Sequence, residues 1–249
     1  MHEDIDDSEL ANEKRLSNKR IARALLCDEN NAAESWRIFK IIAEFVSGFE
    51  VLQRYDLAVT FFGSARCGFG DKVYKQATEL ARKLSKAGFA IITGGGGGVM
   101  EAANKGAFEA GGPSVGLNIE LPREQALNKY LNDSQGFHYF FTRKVMLSFA
   151  SEVYIFMPGG FGTLDELFEI ATLIQTKKIP KLPLILIGRD YWEPLMAWLR
   201  SDLYMHAKAI DKEDLELFHL CDSAEEAFTI IMEHTKNART RTDARSVPA

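Results

Sequence analysis

The chain has 249 residues, with 35 acidic against 30 basic side chains for a net charge of −5, and it is 46% apolar and 26% charged. Those proportions belong to an ordinary globular protein, so disorder, collagen and coiled coil are excluded as whole-chain readings, and the length suits one α/β domain. The mild negative charge argues against a protein that coats DNA or RNA, which needs a basic face, and leaves room for a small basic pocket.

Cys27, Cys67 and Cys221 are too few and too scattered for a disulfide framework or a zinc site and read as free thiols of a reducing compartment. The acidic start, Met1 to Asp7, has no apolar core and is not a signal peptide, and no apolar run reaches membrane-spanning length. A cytoplasmic protein without a membrane partner is expected.

Residues 1–31 mix acids, bases and asparagines and are expected to form a mobile or loosely helical arm. From Ala32 to Arg54, the residues Trp36, Phe39, Ile42, Ala43, Val46 and Phe49 recur at spacings of three and four, which predicts a long amphipathic helix. It stands outside the alternating pattern that follows, and a helix so placed either packs on its own domain or covers a partner subunit. A homodimer or larger homo-oligomer is therefore expected.

A strand-helix rhythm then begins. Leu57–Phe62 is a short apolar run ending in Gly63-Ser64-Ala65-Arg66, and a helix over Asp71–Ala87 stops at Gly88. Phe89–Ile92 is a strand that runs into the five glycines Gly94 to Gly98, followed by a helix over Val99–Ala110 and a strand over Ser114–Asn118. Residues 119–136 read as loop, Phe137–Phe140 as a short strand and Arg143–Ser151 as a helix. Val153–Met157 is a strand, Pro158–Thr163 a turn, Leu164–Thr176 a helix, Leu184–Ile187 a strand and Tyr191–Leu203 a helix. Phe218–Cys221 forms an edge strand and Ala224–Glu233 a last helix, and residues 236–249, with Lys236, Arg239, Arg241 and Arg245, read as a disordered basic tail.

Strands that are apolar throughout and alternate with helices imply a parallel sheet covered on both faces. Right-handed crossovers make it a single doubly wound, Rossmann-like α/β domain over residues 32–235 with extra N-terminal helices. Ligands of such sheets bind beyond the carboxyl ends of the strands, and the glycine-rich turns fall there.

Two turns carry most of the chemical information. Gly94, Gly95, Gly96, Gly97 and Gly98 join a strand to a helix, where glycines let an anion approach backbone N–H groups and the helix start adds a positive dipole end. Pro158-Gly159-Gly160-Phe161-Gly162-Thr163 repeats that placement, with Thr163 as an N-cap or phosphate ligand. In the helix after it, Leu164, Leu167, Phe168, Ala171 and Ile174 make the buried stripe, leaving Asp165, Glu166 and Glu169 on other faces. A carboxylate aimed at a phosphate would repel it, so Glu166 should face the sugar end of a ligand.

Arg143 and Lys144 fall at the start of a helix, where cations oppose the dipole, so the pair calls for a compensating anion: a ligand, or an ion pair with Glu124 or Asp133. Ser64 and Arg66, after the first strand, and Thr172, further along the Glu166 helix, are candidates for the base side or for supporting contacts. His138 reads as a packed histidine, and Phe161, Phe140 and Tyr139 are either core residues or stacking partners for a base. No G-x-G-x-x-G, no P-loop, no H-E-x-x-H and no cysteine pair is present, which argues against dinucleotide-dependent redox chemistry and against a metal.

At these residues the chain resembles the LONELY GUY family of phosphoribohydrolases, long labelled lysine decarboxylases. The resemblance lies in P-G-G-x-G-T-x-x-E at Pro158–Glu166, in the glycine turn with M-E-A-A-N-K-G-A at Met100–Ala107, and in Arg143-Lys144. It covers roughly residues 57–187, and the Ser35–Phe49 helix is similar to that of longer bacterial members. It implies hydrolysis of the N-glycosidic bond of nucleoside 5′-monophosphates, AMP-like or cytokinin ribosides, to free base and ribose 5-phosphate, with no metal or organic cofactor. Carried across, Arg143 and Glu166 match the catalytic pair, and Gly159, Gly160, Gly162 and Thr163 match the phosphate turn. Lys144 then matches a nucleotide contact and Glu124 a base-side contact. Gly97 stands where the family usually has proline, and Phe140-Phe141-Thr142 where short plant-type members have a histidine. The alternative is a nucleotide or molybdenum-cofactor carrier on the same fold, which gives no reason for Glu166 and Arg143 together. Lysine decarboxylation would need a pyridoxal-binding lysine in a recognisable setting, and none is found.

Overall fold

A run such as Leu57–Phe62, apolar at every position but Thr60, has no face to offer water and must be covered on both sides. In the computed structural model, which describes residues 34–120 and 127–245, this run is β1 (Ala58–Phe62), the central strand of a sheet. The other strands are β2 (Ala90–Thr93), β3 (Ser114–Ile119), β4 (Asp133–Phe137), β5 (Val153–Phe156), β6 (Leu184–Ile187) and β7 (Phe218–Cys221). Their order is β4-β3-β2-β1-β5-β6-β7, and every neighbouring pair is parallel.

Among the described residues eight helices accompany them: α1 (Glu34–Leu52), α2 (Lys72–Lys86), α3 (Val99–Glu109), α4 (Phe140–Phe149), α5 (Phe161–Gln175), α6 (Arg189–Trp198), α7 (Lys212–Leu215) and α8 (Ala224–Arg245). A π-helical stretch, Leu199–His206, continues α6. Side chains alternate across a strand, so the sheet divides its apolar residues between two cores. Val59, Phe61, Ile91, Val153, Ile155, Ile185 and Ile187 pack with residues of α2, α3 and α8. Phe62, Ile92, Val115, Leu117, Tyr154, Phe156, Leu184 and Leu186 pack with residues of α4, α5 and α6 and with Val51. This is the doubly wound α/β sheet expected from the alternation.

The chain divides into an N-terminal unit ending at Ala43 and a large unit from Glu44 onward. In the first, the described residues are the opening turns of α1, where the Trp36 and Phe39 rings lie tilted with centroids 6.1 Å apart. The expected arm over 1–31 lies outside the described residues. In the large unit the end of α1 differs from its expected packing: Val46 and Phe49 of the apolar stripe are exposed, while Gly48 and Val51 are buried.

Three boundaries move. β4 ends where a strand was expected to begin, and α4 starts at Phe140, one turn earlier than its apolar pattern suggests. A distant side chain covers that start: the Glu44 carboxylate accepts from the backbone N–H of His138 at 2.8 Å and of Tyr139 at 3.4 Å, and the Thr142 hydroxyl lies 2.5 Å away. The last helix runs to Arg245 instead of stopping at Glu233, so residues 236–245 are helical where a disordered tail was expected. Nothing between Ala224 and Arg245 is glycine or proline, so no breaker stops it. Among the described residues no helix is long and apolar enough to cross a membrane.

The strand order reverses between β1 and β5, leaving a crevice beyond their carboxyl ends. Its wall on the β2 side depends on a close helix crossing. A Cβ on Gly106 of α3 would sit 2.3 Å from the Thr78 carbonyl and 2.9 Å from the Arg82 nitrogen, both backbone atoms of α2. Gly106→Ala is therefore expected to destabilise the fold by about 1–3 kcal/mol in urea unfolding. Gly70→Ala, with no atom within 4 Å, should leave the midpoint nearly unchanged.

Candidate active site at the switch point

Three turns meet beyond the ends of β1, β2 and β5, and backbone hydrogen bonds tie them together. Ser64, just after β1, donates its N–H to the Pro158 carbonyl at 3.0 Å, and its own carbonyl accepts the Val99 N–H at 2.9 Å. The second bond occupies one donor at the start of α3, the Val99 N–H. Of Gly94 to Gly98, expected together as a phosphate cradle, only Gly94 lines the crevice.

Of the remaining glycines, Gly98 is required by close packing. Gly98 has φ +67°, and a Cβ there would lie 2.2 Å from the Ser64 carbonyl oxygen. The turn is held from below by a buried polar network. Thr93 Oγ1 accepts from Gly95 N–H at 2.9 Å and donates to Asn104 Oδ1 at 2.6 Å. Asn104 Nδ2 donates to Ser114 Oγ at 2.9 Å, and Asn128 Nδ2 reaches Asn104 Oδ1 and the carbonyls of Gly95 and Gly96 at 2.9–3.2 Å. Asn128 carries no signal in the sequence because it lies within the patternless stretch 119–136.

The turn after β5 is open instead. The N–H groups of Gly160, Phe161 and Gly162, at the start of α5, meet no acceptor among the described residues, and all three residues line the crevice. Free N–H groups at a helix start make an anion-binding end. Thr163 is 5% exposed and lines the same space. Its position explains Gly159, since a Cβ there would lie 2.1 Å from Thr163 Oγ1 and 3.0 Å from the Ser64 nitrogen.

Glu166 lies three and four residues beyond Thr163 and Gly162, on the same face of α5 one turn further along. The buried stripe of α5 is Thr163, Glu166, Leu167, Ile170 and Ile174, so Glu166 belongs to the inner face, not to an outer one as expected. It is 7% exposed, and its Oε2 has no hydrogen-bond partner. Burial, helped by Glu169 and Asp165 and opposed by Lys144 and Arg143, pushes its carboxyl up to about 7.

Arg143, on α4, sends Nε to the Leu117 carbonyl at 3.0 Å, while a Cβ on Gly94 would meet its Nη2 at 2.8 Å. The guanidinium thus lies over a bare glycine, and its terminal nitrogens make no hydrogen bond to a described residue. Burial pulls its pKa below the ordinary range, and the Glu166 charge opposes that. Because α4 starts at Phe140, the basic pair sits in the second turn, where the dipole penalty assumed from the sequence has faded.

Lys144 pairs with Asp165 at 2.7 Å and Glu169 at 3.0 Å. Burial disfavours its charge, but the two carboxylates outweigh that and raise its pKa. Of the two ion-pair partners expected for the basic pair, Asp133 binds Arg54 and Tyr55 instead, and Glu124 lies outside the described residues.

The crevice encloses about 800 Å³, within the range of small-molecule sites. It brings together Ser64, Arg66, Gly94, Arg143, Lys144, Gly159, Gly160, Gly162, Thr163 and Glu166. Gly95 to Gly98 stand behind the wall, and Thr172 lines a neighbouring hollow on the outer side of α5. Tyr191, Met100, Phe140 and Phe161 also line the crevice, and Tyr191 carried no sequence signal beyond helix formation.

Fold and crevice define a doubly wound α/β protein with an open helix start and a buried carboxylate beside an arginine at its switch point. A family model described as "Possible lysine decarboxylase" matches residues 100–231, and the chain belongs to that family, the LOG family. It is 32% identical over 127 residues to a "Probable cytokinin riboside 5'-monophosphate phosphoribohydrolase LOGL5" of Oryza sativa subsp. japonica. That match covers 49% of this chain and 51% of the rice protein, so the chain spans about half the length of that relative. A "Cytokinin riboside 5'-monophosphate phosphoribohydrolase" of Rhodococcoides fascians is 27% identical over 147 residues, covering 57% of this chain and 73% of its own. Among solved structures, the molybdenum cofactor binding protein of Rippkaea orientalis superposes with a TM-score of 0.54 at 21% identity, over 72% of this chain and 96% of its own, a likeness of fold.

The raised pKa of Glu166 has a consequence for stability. Between about 4.5 and about 7 the folded chain holds a proton that the unfolded chain has lost, so ionising Glu166 lowers stability as the pH rises through that window. Glu166→Gln, which mimics the protonated group, is expected to be more stable than the parent chain at pH 8, with the gap closing towards pH 5. Urea unfolding at the two pH values measures this.

Proposed function

We propose that the protein hydrolyses the N-glycosidic bond of nucleoside 5′-monophosphates, releasing free base and ribose 5-phosphate. The observation that carries this reading is the buried, partnerless carboxylate oxygen of Glu166 one helical turn beyond the open N–H groups of α5. A turn rises about 5.4 Å, a span comparable to the breadth of a ribose carrying its 5′ carbon. A phosphate seated on Gly160, Phe161 and Gly162 would leave the anomeric carbon near Glu166.

Breaking a ribosyl C–N bond builds positive charge on the sugar, as in glycoside hydrolysis, and a carboxylate in a water-poor pocket stabilises it. With a pKa near 7, Glu166 is also poised to take the proton of the attacking water. Arg143 lines the same crevice as Glu166 with its guanidinium end free of hydrogen bonds to described residues, and in the bound state it would hold the carboxylate and the ribose or phosphate in register. Binding energy from the phosphate fixes the reacting bond. The activity on cytokinin riboside 5′-monophosphates for which these relatives are named supports this class of substrate. Decarboxylation of lysine through a pyridoxal Schiff base does not fit the residues. The lysine of the crevice, Lys144, is held as a cation by two carboxylates, whereas Schiff-base chemistry needs a lowered pKa.

We also propose a cytoplasmic homo-oligomer. Free Cys67 and Cys221 suit a reducing compartment. Phe161 is 93% exposed beside Phe140 at the crevice, with Phe141 and Phe149 on α4 and Phe168 on α5 also exposed, a large apolar area for a lone chain. Light scattering should give a multiple of the monomer mass.

The decisive assay is chromatographic detection of free base from AMP, CMP, GMP, UMP and isopentenyl-AMP. Glu166→Gln is expected to lose about 10²–10⁴-fold in turnover while still binding nucleotide. For the parent enzyme, kcat/KM should rise with pH to a plateau above about 7, as Glu166 ionises. Unchanged turnover in Glu166→Gln would overturn the role given to Glu166. Absence of base from every nucleotide, with binding retained, would make the protein a carrier.

A further inference from the structure

The Gly159–Gly160 peptide carries one of the open N–H groups of the crevice and lies between two glycines, the residues least able to hold a peptide plane in one orientation. Glycine at 159 is imposed by the crowding of Thr163 and Ser64, so stiffness has to come from elsewhere. It comes from α6. The Tyr191 hydroxyl donates to the Gly159 carbonyl at 2.5 Å. In a trans peptide the carbonyl and the following N–H point in opposite directions, so fixing the first fixes the second. A flipped peptide would turn a carbonyl oxygen, instead of the Gly160 N–H, towards an anion.

The start of α6 is itself anchored. Gly188, with φ +98°, turns the chain directly out of β6 and would bring a Cβ to 3.5 Å from the Pro158 ring. Its N–H donates to the Cys221 carbonyl at 2.7 Å. Arg189 pairs with Asp222 at 3.1 Å and Glu226 at 3.3 Å and donates to the Leu220 carbonyl at 2.8 Å. The Tyr191 ring meets the fully buried Trp192 edge to face at 4.8 Å.

We infer that Tyr191 is a positioning residue for the phosphate: its hydroxyl locks the Gly159–Gly160 peptide with the Gly160 N–H available to the anion. The inference rests on the proposed phosphate seat at the start of α5. It adds to the P-G-G-x-G-T turn a residue from beyond β6 that acts through the Gly159 carbonyl.

Tyr191→Phe tests it, because the ring and its contact with Trp192 remain. Steady-state kinetics on the best nucleoside 5′-monophosphate should show KM raised roughly tenfold, the worth of one hydrogen bond, with kcat within about twofold of the parent. Calorimetry with ribose 5-phosphate and with inorganic phosphate should show Kd raised by a similar factor, and the urea midpoint should not move. Equal KM and equal Kd in variant and parent would overturn the inference, as would a fall in kcat at constant KM. If the parent releases no base, the hydrolase reading fails by itself; the ribose 5-phosphate Kd ratio then decides Tyr191, a rise supporting the lock and parity refuting it. A parent that binds neither phosphate ligand overturns both.

Discussion

The backbone of Ser64 joins three turns that would otherwise be independent. Its N–H holds the Pro158 turn and its carbonyl holds the glycine turn, so the loops after β1, β2 and β5 share one position in space. Peptide groups buried at such a junction need partners, and each of these bonds satisfies two at once. The geometry has a chemical result. The Val99 N–H at the start of α3 is taken by Ser64, whereas the N–H groups of Gly160, Phe161 and Gly162 at the start of α5 meet no acceptor among the described residues and line the crevice.

Around that open end the chain accepts electrostatic tension. Glu166 is buried with Glu169 and Asp165 near it, an arrangement that resists its ionisation, and Arg143 is buried against its own preference for water. Lys144 relieves part of the strain by holding Asp165 and Glu169. Perturbed titration of paired groups in a cleft is characteristic of working sites, where stability is traded for reactivity. Here the tension is confined to adjacent turns of α4 and α5, while the central strands β1, β2, β5 and β6 beneath are buried along their whole length.

The layered sheet was legible because alternating apolar strands and helices have few other ways to bury themselves. The boundaries that failed depend on remote partners. The start of α4 is covered by Glu44, which no window around Phe140 contains. Glu166 was read as outward because a carboxylate does not count towards an apolar stripe, yet Thr163, Glu166 and Ile170 occupy the inner face of α5. The glycine turn was read as a cradle because its composition fits one, and only the approach of Ser64 and Ala65 shows that Gly98 is needed for space. Tyr191 could not have been found from the chain alone, since its partner is a carbonyl thirty-two residues away on another turn.

The Glu44 carboxylate also gives the later turns of α1 a stake in the crevice. It sits on α1, outside the sheet, yet it serves donors at His138, Tyr139 and Thr142 at the start of the helix that carries Arg143. Trimming the protein to its sheet and crossover helices would strip those donors of their shared acceptor and let the first turn of α4 fray just ahead of the arginine. A minimal version of this fold therefore has to keep α1 from Glu44 onward, and lineages that shed the helix would need another acceptor at that spot.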